Sequence, residues 1–543
     1  MTWVLEMTGT RISDGVAERF LFALGAGLAL KDDDYVEPGL IGWASPSQNI
    51  DVAKTGGVST KTDAGEFTIS NAPPAIDQPG PWDRLLDVVW NGKTATLFWV
   101  PGQLWSQRVK MAWGTMEQPI GSILGSGSQP NIKFPLRDPR AALEAPLQPK
   151  KFLGDNAGPV GVEGGSDLKG TPKPILYGTA SNCPVPKVND ALLIYQVADK
   201  PVSVLCVRDG ASALTAGVVR ANLASMQATP PGGGKYDVYA GAEGTFVRVG
   251  TTPTYGLAVD AAEGANAAAR THAKIWSRIR TERCGTAGGD INTSSITAAD
   301  LLDAGEVGFW WSGETTQREA VDQVLASFNG FEINEVSGQW KVQKLVLPSG
   351  TPVIELAVLR PNSVKTAKAR SMTALQRLRP GYAPNGVPPY RVTVYWGRNY
   401  KVMNDGEFAG YANTRLKEKF STEWRLEPAT NATVWNPDTG AGLWPNAPEL
   451  TVESSYIPGP DGLTCPAATA EAARLLAMYS TLRGQYQVSF NPRVEDRVQP
   501  GDVVKLTHAS MGLSGGKLFV VLQAGLLVGS KGSEMDLVVG LEA

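Results

Sequence analysis

Glycine and proline recur along the whole chain in short clusters, and this distribution limits the length of the elements between them. The 543 residues include 60 glycines and 38 prolines. Proline interrupts helices and central strands, and glycine supplies the positive φ angles of tight turns. Clusters such as Pro230–Gly234 and Pro500–Asp502 follow no fixed period. The pattern therefore predicts many short strands joined by turns.

A chain of this length is too long for one hydrophobic core, and we expect about three or four domains. Hydrophobic residues make up 42% and charged residues 19%, which excludes wholesale disorder. We predict a mainly β, multidomain fold with α+β insertions. The expected divisions are a β domain at 1–148, a β-rich domain at 149–262 after a Gly/Pro linker, an α+β middle domain at 263–375, and a β domain with one long helix at 376–543.

The N-terminal region contains strand-like pieces at Glu66–Ile69, Leu85–Trp90 and Thr94–Val100. Asn91–Gly92 between the last two predicts a two-residue hairpin, because both turn positions need positive φ. Further strands are predicted at Ala191–Val197, Val202–Val207, Lys235–Ala240 and Thr245–Val249.

Apolar residues at helical spacing predict three helices, at about 265–284, 316–329 and 467–483. Thr316 and Glu319 form a capping-box pattern at the start of the second helix. We assign the apolar stripes to packing. The first helix also carries a run of cations, which predicts a solvated face, with a phosphate or an acidic partner as the alternative: Arg270, Lys274, Arg278, Arg280 and Arg283.

The C-terminal region reads as an antiparallel sheet or a small barrel. Tyr486, Val488 and Phe490 alternate with polar residues, which is typical of a half-buried strand. Further strands are predicted at 503–506, 517–523 and 535–541. The crowded Pro, Gly, Asn and Trp residues at Leu426–Gly462 predict a long exposed loop or an interface arm.

Charge and hydropathy exclude two classes of function. The net charge of -3 gives no basic footprint for nucleic-acid phosphates, so no specific nucleic-acid binding is expected. The longest apolar run, Phe20–Leu30, is shorter than the roughly 20 residues that span a bilayer. We therefore expect no membrane segment, and synthesis and folding in the cytoplasm.

The chain offers few residues for catalysis. Its two histidines, His272 and His508, lie in no recognisable catalytic motif, and we expect both to be structural. No pair of carboxylates stands out among the 53 acidic residues, although distant acids can still form a glycosidase site. Tryptophans such as Trp310, Trp311 and Trp340 are assigned to packing and subunit contact rather than to sugar stacking.

The four cysteines lie far apart in the sequence and form no C-x-x-C pair. We expect reduced, buried thiols, and we predict neither a metal nor another cofactor. The spacing leaves open whether folding brings the four thiols together on an iron–sulfur cluster. They are Cys183, Cys206, Cys284 and Cys465.

Three segments resemble the hub, or central tail-tip, proteins of siphophage tails, prophages and gene transfer agents. The clearest is the linker Gly161–Gly178, which is followed by the strand at Ala191–Val197. Gly305–Gly308 with the helix after it is similar to the middle domain of that family. Gly501–Phe519 is similar to its C-terminal barrel.

This resemblance implies a non-enzymatic structural hub with hub-type β-barrel domains in the N-terminal and C-terminal parts of the chain. Members of the family are trimers in which two similar barrels per subunit imitate the sixfold symmetry of the tail tube. The implied ring joins the tube and the distal tail ring to the tip, and it frames or closes the DNA channel until ejection. The implied partners are further copies of the chain, a distal tail protein, a tape-measure protein, and other tail-tip or fibre proteins.

The resemblance also implies a place at the virion tail tip, with assembly in the host cytoplasm. Two alternatives from other classes stay open. One is a virion-associated hydrolase of cell-wall glycan or surface polysaccharide, and the other is a receptor-binding tip protein.

Overall fold

The structure is a computed structural model that describes residues 2–25, 28–32, 35–54, 57–63, 65–75, 78–122, 130–156, 161–359, 367–379, 386–410, 412–459, 462–530 and 532–543. Strands predominate, and helices lie between the β units. The predicted fold class, mainly β with α+β insertions, is confirmed. Within the ranges just given, no helix combines the length and the apolar character needed to cross a bilayer.

The N-terminal part closes into a barrel of seven strands, which we call the first barrel. The strands described up to Arg137 are β1 (Thr2–Arg11), β2 (Ala17–Leu24), β3 (Leu28–Ala29), β4 (Tyr35–Ala44), β5 (Ser47–Lys54), β6 (Gly57–Asp63), β7 (Gly65–Ser70), β8 (Val88–Val89), β9 (Thr94–Val100), β10 (Val109–Met116), β11 (Ile120–Ser122) and β12 (Asn131–Arg137). The ring runs β1, β2, β4, β7, β12, β10, β9 and back to β1. Only the β2–β4 contact in this ring is parallel.

The turn at Asn91–Gly92 exists, but the hairpin predicted around it is wrong. Lys93 N donates to Trp90 O at 2.8 Å, which closes the turn. The strands on either side of the turn do not pair with each other, because each of them pairs with β1. The strand β8 pairs with Thr10 and Arg11, and β9 pairs with an earlier part of β1. The first half of the predicted strand Leu85–Trp90 is a 3-10 turn instead.

Two five-stranded sheets follow the linker. Their strands are β13 (Ile175–Cys183), β14 (Lys187–Asn189), β15 (Ile194–Ala198), β16 (Ser203–Asp209), β17 (Ser212–Ala213), β18 (Thr215–Val219), β19 (Lys235–Gly241), β20 (Gly244–Val249), β21 (Leu257–Ala262) and β22 (Gly308–Trp311). One sheet has the order β17-β16-β21-β13-β22 and the other β14-β15-β20-β19-β18. Both sheets contribute to one apolar core, with Val207 and Val259 from the first and Val197 and Val247 from the second. The four strands predicted here exist, although the first begins at Ile194 and not at Ala191, because residues 191–193 form a turn.

Helices occupy the middle of the chain and its last third. They are α1 (Leu223–Ala228), α2 (His272–Glu282), α3 (Thr293–Leu302), α4 (Gln317–Ser327), α5 (Thr414–Phe420) and α6 (Pro466–Tyr479). The capping box of Thr316 and Glu319 is confirmed at α4. The start predicted for α2 is too early, because the Thr271 side chain caps the helix by accepting from Lys274 N. The sequence did not predict α1, α3 or α5.

The largest core cluster joins this helical region to both ends of the chain. It contains Trp276 of α2, Val324 of α4 and Leu475 of α6, together with Ile50 and Val52 of β5. The β5–β6 hairpin therefore extends from the first barrel into the middle of the molecule. The hairpin of β23 (Gly330–Asn334) and β24 (Trp340–Lys344) lies in the same core.

The C-terminal part forms a second closed barrel, of six strands. Six of the nine strands described after β24 form this barrel. The nine strands are β25 (Ile354–Ala357), β26 (Ala369–Leu378), β27 (Arg391–Trp396), β28 (Arg425–Thr430), β29 (Glu449–Glu453), β30 (Gln485–Phe490), β31 (Val503–Thr507), β32 (Lys517–Gly529) and β33 (Gly532–Gly540). The ring runs β25, β26, β30, β33, β32, β31 and back to β25. Of the two C-terminal alternatives, the structure has the small barrel.

Two details differ from the sequence prediction. The segment Leu426–Gly462 is not one long loop, because β28 and β29 pair with β27 on either side, in the order β28-β27-β29. Pro428 is tolerated because β28 is an edge strand. Residues 460 and 461 lie outside the described part of the chain. The boundary expected between 375 and 376 passes through β26, and the four-domain division stays a prediction.

Candidate functional site

The two barrels are joined by a shared strand. β32 belongs to the ring of the second barrel and also pairs with the first, with Val528 opposite Trp43 and Gln523 opposite Asn49. Ser45 strengthens the junction, since its backbone N–H donates to Leu526 O at 3.0 Å and its hydroxyl accepts from Leu526 N at 2.8 Å. Main-chain hydrogen bonds therefore run without interruption from one barrel into the other.

Side chains fill the interiors of both barrels. In the first barrel, Phe67 stacks between Trp43 and Phe134, with ring centroids 5.5 Å and 4.7 Å away. In the second, Tyr486 packs edge-on against Phe519 at 5.4 Å, beside the buried Val488. Barrels of this size are packed cores rather than pores. Other molecules can therefore contact these barrels only from the outside.

Four exposed apolar side chains lie together beside the β1–β2 turn, and we call this surface the apolar end. They are Ile12, Val16, Leu86 and Val89, each between 40% and 64% exposed. Main-chain contacts hold them together: Ile12 N donates to Asp87 O at 3.1 Å, Arg11 N donates to Val16 O at 2.9 Å, and Val89 pairs with Thr10. Exposed apolar groups gathered in this way mark sites of protein contact.

Charges of both signs surround the apolar end. Arg11 lies 2.9 Å from Asp14, and Arg84 lies 3.4 Å from Glu18. These pairs are exposed and contribute little to stability. They give the apolar end the polar rim that is typical of protein–protein contact sites.

A buried ion cluster fixes the first barrel to the helical region. Glu332 of β23 is fully buried, and its Oε1 lies 3.0 Å from Arg140 Nε, close enough for an ion pair though not aligned for a hydrogen bond. Its Oε2 accepts from Arg280 Nε at 3.1 Å and from Trp276 Nε1 at 2.7 Å. Arg140 also donates to Thr60 O of β6 at 3.0 Å. The cluster therefore ties the segment after the first barrel to α2 and β23.

The sequence predicted that the cation run of α2 forms a solvated face. This prediction is wrong. Each cation pairs with a carboxylate of the same chain: Arg270 with Glu306, Lys274 with Asp300, Arg278 with Glu263, Arg280 with Glu332, and Arg283 with Asp199. These pairs satisfy the charges within the molecule. The helix therefore offers no group of unpaired cations for a phosphate.

His272 lies in the core at the start of α2. Its ring stacks on Phe328 at 4.9 Å, and its Nδ1 is 3.7 Å from Asp303. Burial lowers the pKa of His272 to about 4, and the nearby Lys344 ammonium adds to the effect of burial, whereas Asp303 and Glu471 oppose it. The imidazole is therefore neutral at physiological pH.

This burial predicts a pH-dependent stability. The unfolded histidine takes up a proton near pH 6.5, whereas the folded one does so near 4, so the unfolded state gains stability as the pH falls between these values. Because of this one group, the free energy of unfolding of the wild type should fall by about 3 kcal/mol between pH 7.5 and pH 4. His272→Phe keeps a ring against Phe328 and cannot titrate. Urea unfolding at pH 7.5 and at pH 4 measures the difference in unfolding free energy between wild type and variant. This difference should change by about 3 kcal/mol between the two pH values. An unchanged difference would refute the prediction.

The other candidate residues do not converge on one site. His508 lies after β31, where its Nδ1 accepts from Ser510 N at 3.1 Å. Burial raises the pKa of all four cysteine thiols. Across the described ranges, no three His, Cys, Asp or Glu residues come together as a metal-binding group.

The segments that carry the family resemblance hold two closely packed glycines. Gly178 has φ +72°, and a Cβ there would lie 2.0 Å from Val307 O. A Cβ on Gly308 would lie 1.9 Å from Thr179 O. β13 and β22 pair at this point, with Gly178 opposite Gly308. Both glycines are therefore required by the close approach of two backbones.

Comparison with known proteins gives weak structural likenesses. No family model and no curated protein matches the chain. A tail protein from Neisseria meningitidis MC58 is similar at 9% identity and a TM-score of 0.38, over 99% of this chain and 97% of that one. The 43 kDa tail protein of prophage MuSo2 from Shewanella oneidensis is similar at 9% identity and a TM-score of 0.39, over 99% and 98%.

A prophage tail protein, gp18 from Listeria monocytogenes EGD-e, is similar at 8% identity and a TM-score of 0.31, over 99% of this chain and 94% of that one. Because these TM-scores lie below 0.5, the likeness does not decide the fold or the function of this chain. All three structures are tail proteins, and two of them come from prophages.

Proposed function

We propose that the chain is a non-enzymatic structural hub of a phage tail tip, and that three copies form a ring of six barrels. The observation that carries this proposal is the pair of closed barrels joined through β32. A single chain with two barrels held in one hydrogen-bonded unit supplies two positions of a sixfold ring. Closed rotational symmetry fixes each contact by repeating it around the ring.

The ring, and not either barrel, frames the channel in this proposal. Both barrels are filled by side chains such as Phe67 and Tyr486, so DNA has no path through them. The channel would lie on the ring axis, between barrels of different copies. There the hub would hold the tail tube and distal tail ring to the tip, and would close or frame the channel until ejection.

The proposed partners are further copies of the chain, a distal tail protein, a tape-measure protein, and other tail-tip or fibre proteins. The proposed location is the virion tail tip, with assembly in the host cytoplasm. The apolar end supports this assembly role, since it gathers exposed apolar side chains on one barrel surface. The central sheets and the β27–β29 sheet would lie outside the ring.

Replacing two residues of the apolar end tests its role in assembly. Ile12 and Val16 are 64% and 50% exposed in the single chain, so Ile12→Asp with Val16→Asp should leave the fold intact. Two charges buried at a subunit contact should weaken self-association by at least about tenfold. Sedimentation velocity over a concentration series measures this change.

A matched control uses two other exposed apolar residues. Leu443→Asp with Val219→Asp adds the same charges at side chains that are 74% and 79% exposed, away from both barrels. This variant should sediment as the wild type does. Equal sedimentation of all three proteins would mean that the apolar end takes no part in self-association. A wild type that stays monomeric in the presence of its distal tail protein would contradict the proposed ring.

A further inference from the structure

A cleft lies where the two barrels meet the β23–β24 turn. The residues that line it include Met111 and Trp113 of β10, Leu526 and Met535 of the second barrel, and Val336 of the β23–β24 turn. The cleft encloses about 130 Å³, whereas one water needs only about 10–15 Å³. Its apolar walls therefore leave room for a side chain of another molecule.

Two amide side chains line the same cleft with unused hydrogen-bonding atoms. Gln48 Nε2 and Asn334 Oδ1 are buried, and neither has a hydrogen-bond partner among the described residues. The two groups are held side by side, because Asn334 N donates to Gln48 Oε1 at 3.3 Å. One free donor and one free acceptor match the C=O and N–H of a peptide unit, and buried polar groups of this kind are normally paired.

The charge at the rim of the cleft narrows the choice of peptide. Arg497 lines the cleft, is exposed, and forms no ion pair with any described residue. The neighbouring Asp496 is already neutralised by Arg370, whose Nε and Nη2 lie 2.6 Å and 2.5 Å from its carboxylate oxygens. The rim therefore presents net positive charge to an incoming ligand.

We infer that this cleft binds an extended peptide segment of a partner protein, with one large apolar residue next to an acidic residue. The apolar side chain occupies the space between Met111 and Met535. The peptide group before it bonds to Gln48 and Asn334, and the acidic residue meets Arg497. This inference stands on the cleft alone, so it does not depend on the ring or on the apolar end.

Methyl spectra of the full chain, labelled at methionine, test the inference. The probes are N-acetyl-Phe-Glu-amide, its Phe-Lys counterpart and its Gly-Glu counterpart. The first should shift the Met111 and Met535 methyl signals and leave those of Met226 and Met478, which are buried in α1 and α6, unchanged. The Lys probe should bind several-fold more weakly, and the Gly probe should give no shift.

Variants separate the contacts. Gln48→Leu and Asn334→Leu each remove a hydrogen bond and should weaken binding of the Phe-Glu probe about two- to tenfold. Arg497→Gln should abolish the preference for Glu over Lys. The signals of Met226 and Met478 report whether each variant is folded.

Three outcomes would overturn the inference. The first is the absence of shifts at Met111 and Met535 with the Phe-Glu probe. The second is equal binding by wild type and both amide variants. The third is a shift that follows protein concentration without any peptide, which would make a second copy of the chain the occupant.

Discussion

Replacing Glu332 by alanine is expected to destabilise the protein by about 3–5 kcal/mol, the cost of leaving buried charges unpaired. Glu332 is fully buried and stands between two arginines that are also buried, Arg140 and Arg280. Its removal leaves Arg280 without this carboxylate and takes the acceptor from Trp276 Nε1. Arg140 keeps a contact to Asp322, so part of its charge stays balanced. The midpoint of urea unfolding measures the loss.

A matched variant shows whether burial causes the effect. Glu314 also pairs with a cation, Lys151 at 2.6 Å, but its side chain is 63% exposed. Glu314→Ala should change stability by no more than about 0.5 kcal/mol, as exposed pairs do. Similar losses for the two variants would mean that the buried cluster does not hold the first barrel to the helical region.

Gly178→Ala should also destabilise the protein strongly. Gly178 has a positive φ, which costs other residues about 1–2 kcal/mol. The added methyl would also overlap Val307 O, which belongs to rigid backbone, and overpacking adds about 1–3 kcal/mol. We therefore expect a loss of about 2–5 kcal/mol in urea unfolding.

Gly285→Ala isolates the steric part of this loss. Gly285 has φ +67°, close to that of Gly178, but beyond its two chain neighbours no heavy atom of the described residues lies within 4 Å of its ideal Cβ position. This variant should lose only about 1–2 kcal/mol, from the left-handed conformation alone. If both alanine variants lost the same amount, close packing of β13 against β22 would not explain the glycine.

Local signals in the sequence predicted many elements well. The strand predicted at Thr94–Val100 has the bounds of β9, and the capping box at Thr316 marks the start of α4. The predictions failed where tertiary contacts decide. The strands around Asn91–Gly92 both pair with β1, a partner distant in sequence. The helical spacing of apolar residues also placed the predicted start of α2 at about residue 265, before Thr271, whose side chain caps the helix.

The candidate surfaces were beyond sequence reasoning for the same reason. The apolar end combines residues from two segments, and Ile12 and Val89 come together only because β8 pairs with the end of β1. The cleft depends on two amide groups, Gln48 and Asn334, that are far apart in the chain. The second barrel needs β25 beside β31, a parallel contact over a long separation. No local pattern predicts such contacts.

The proposed function rests on the two joined barrels, and the sequence explains how they form. Alternating apolar residues build the strands, the strands close into two filled rings, and β32 holds the rings together. A rigid pair of this kind suits a part that is repeated around an axis. In the proposed function, the molecule acts through its surfaces and its contacts with other subunits.

The most direct test is cryo-electron microscopy of the tail tip of the particle that carries this chain. We expect three copies of the chain at the tip, with six barrels arranged around a central channel and each copy contributing two neighbouring barrels. A map in which the chain occurs once, or in which its barrels lie away from the channel, would contradict it.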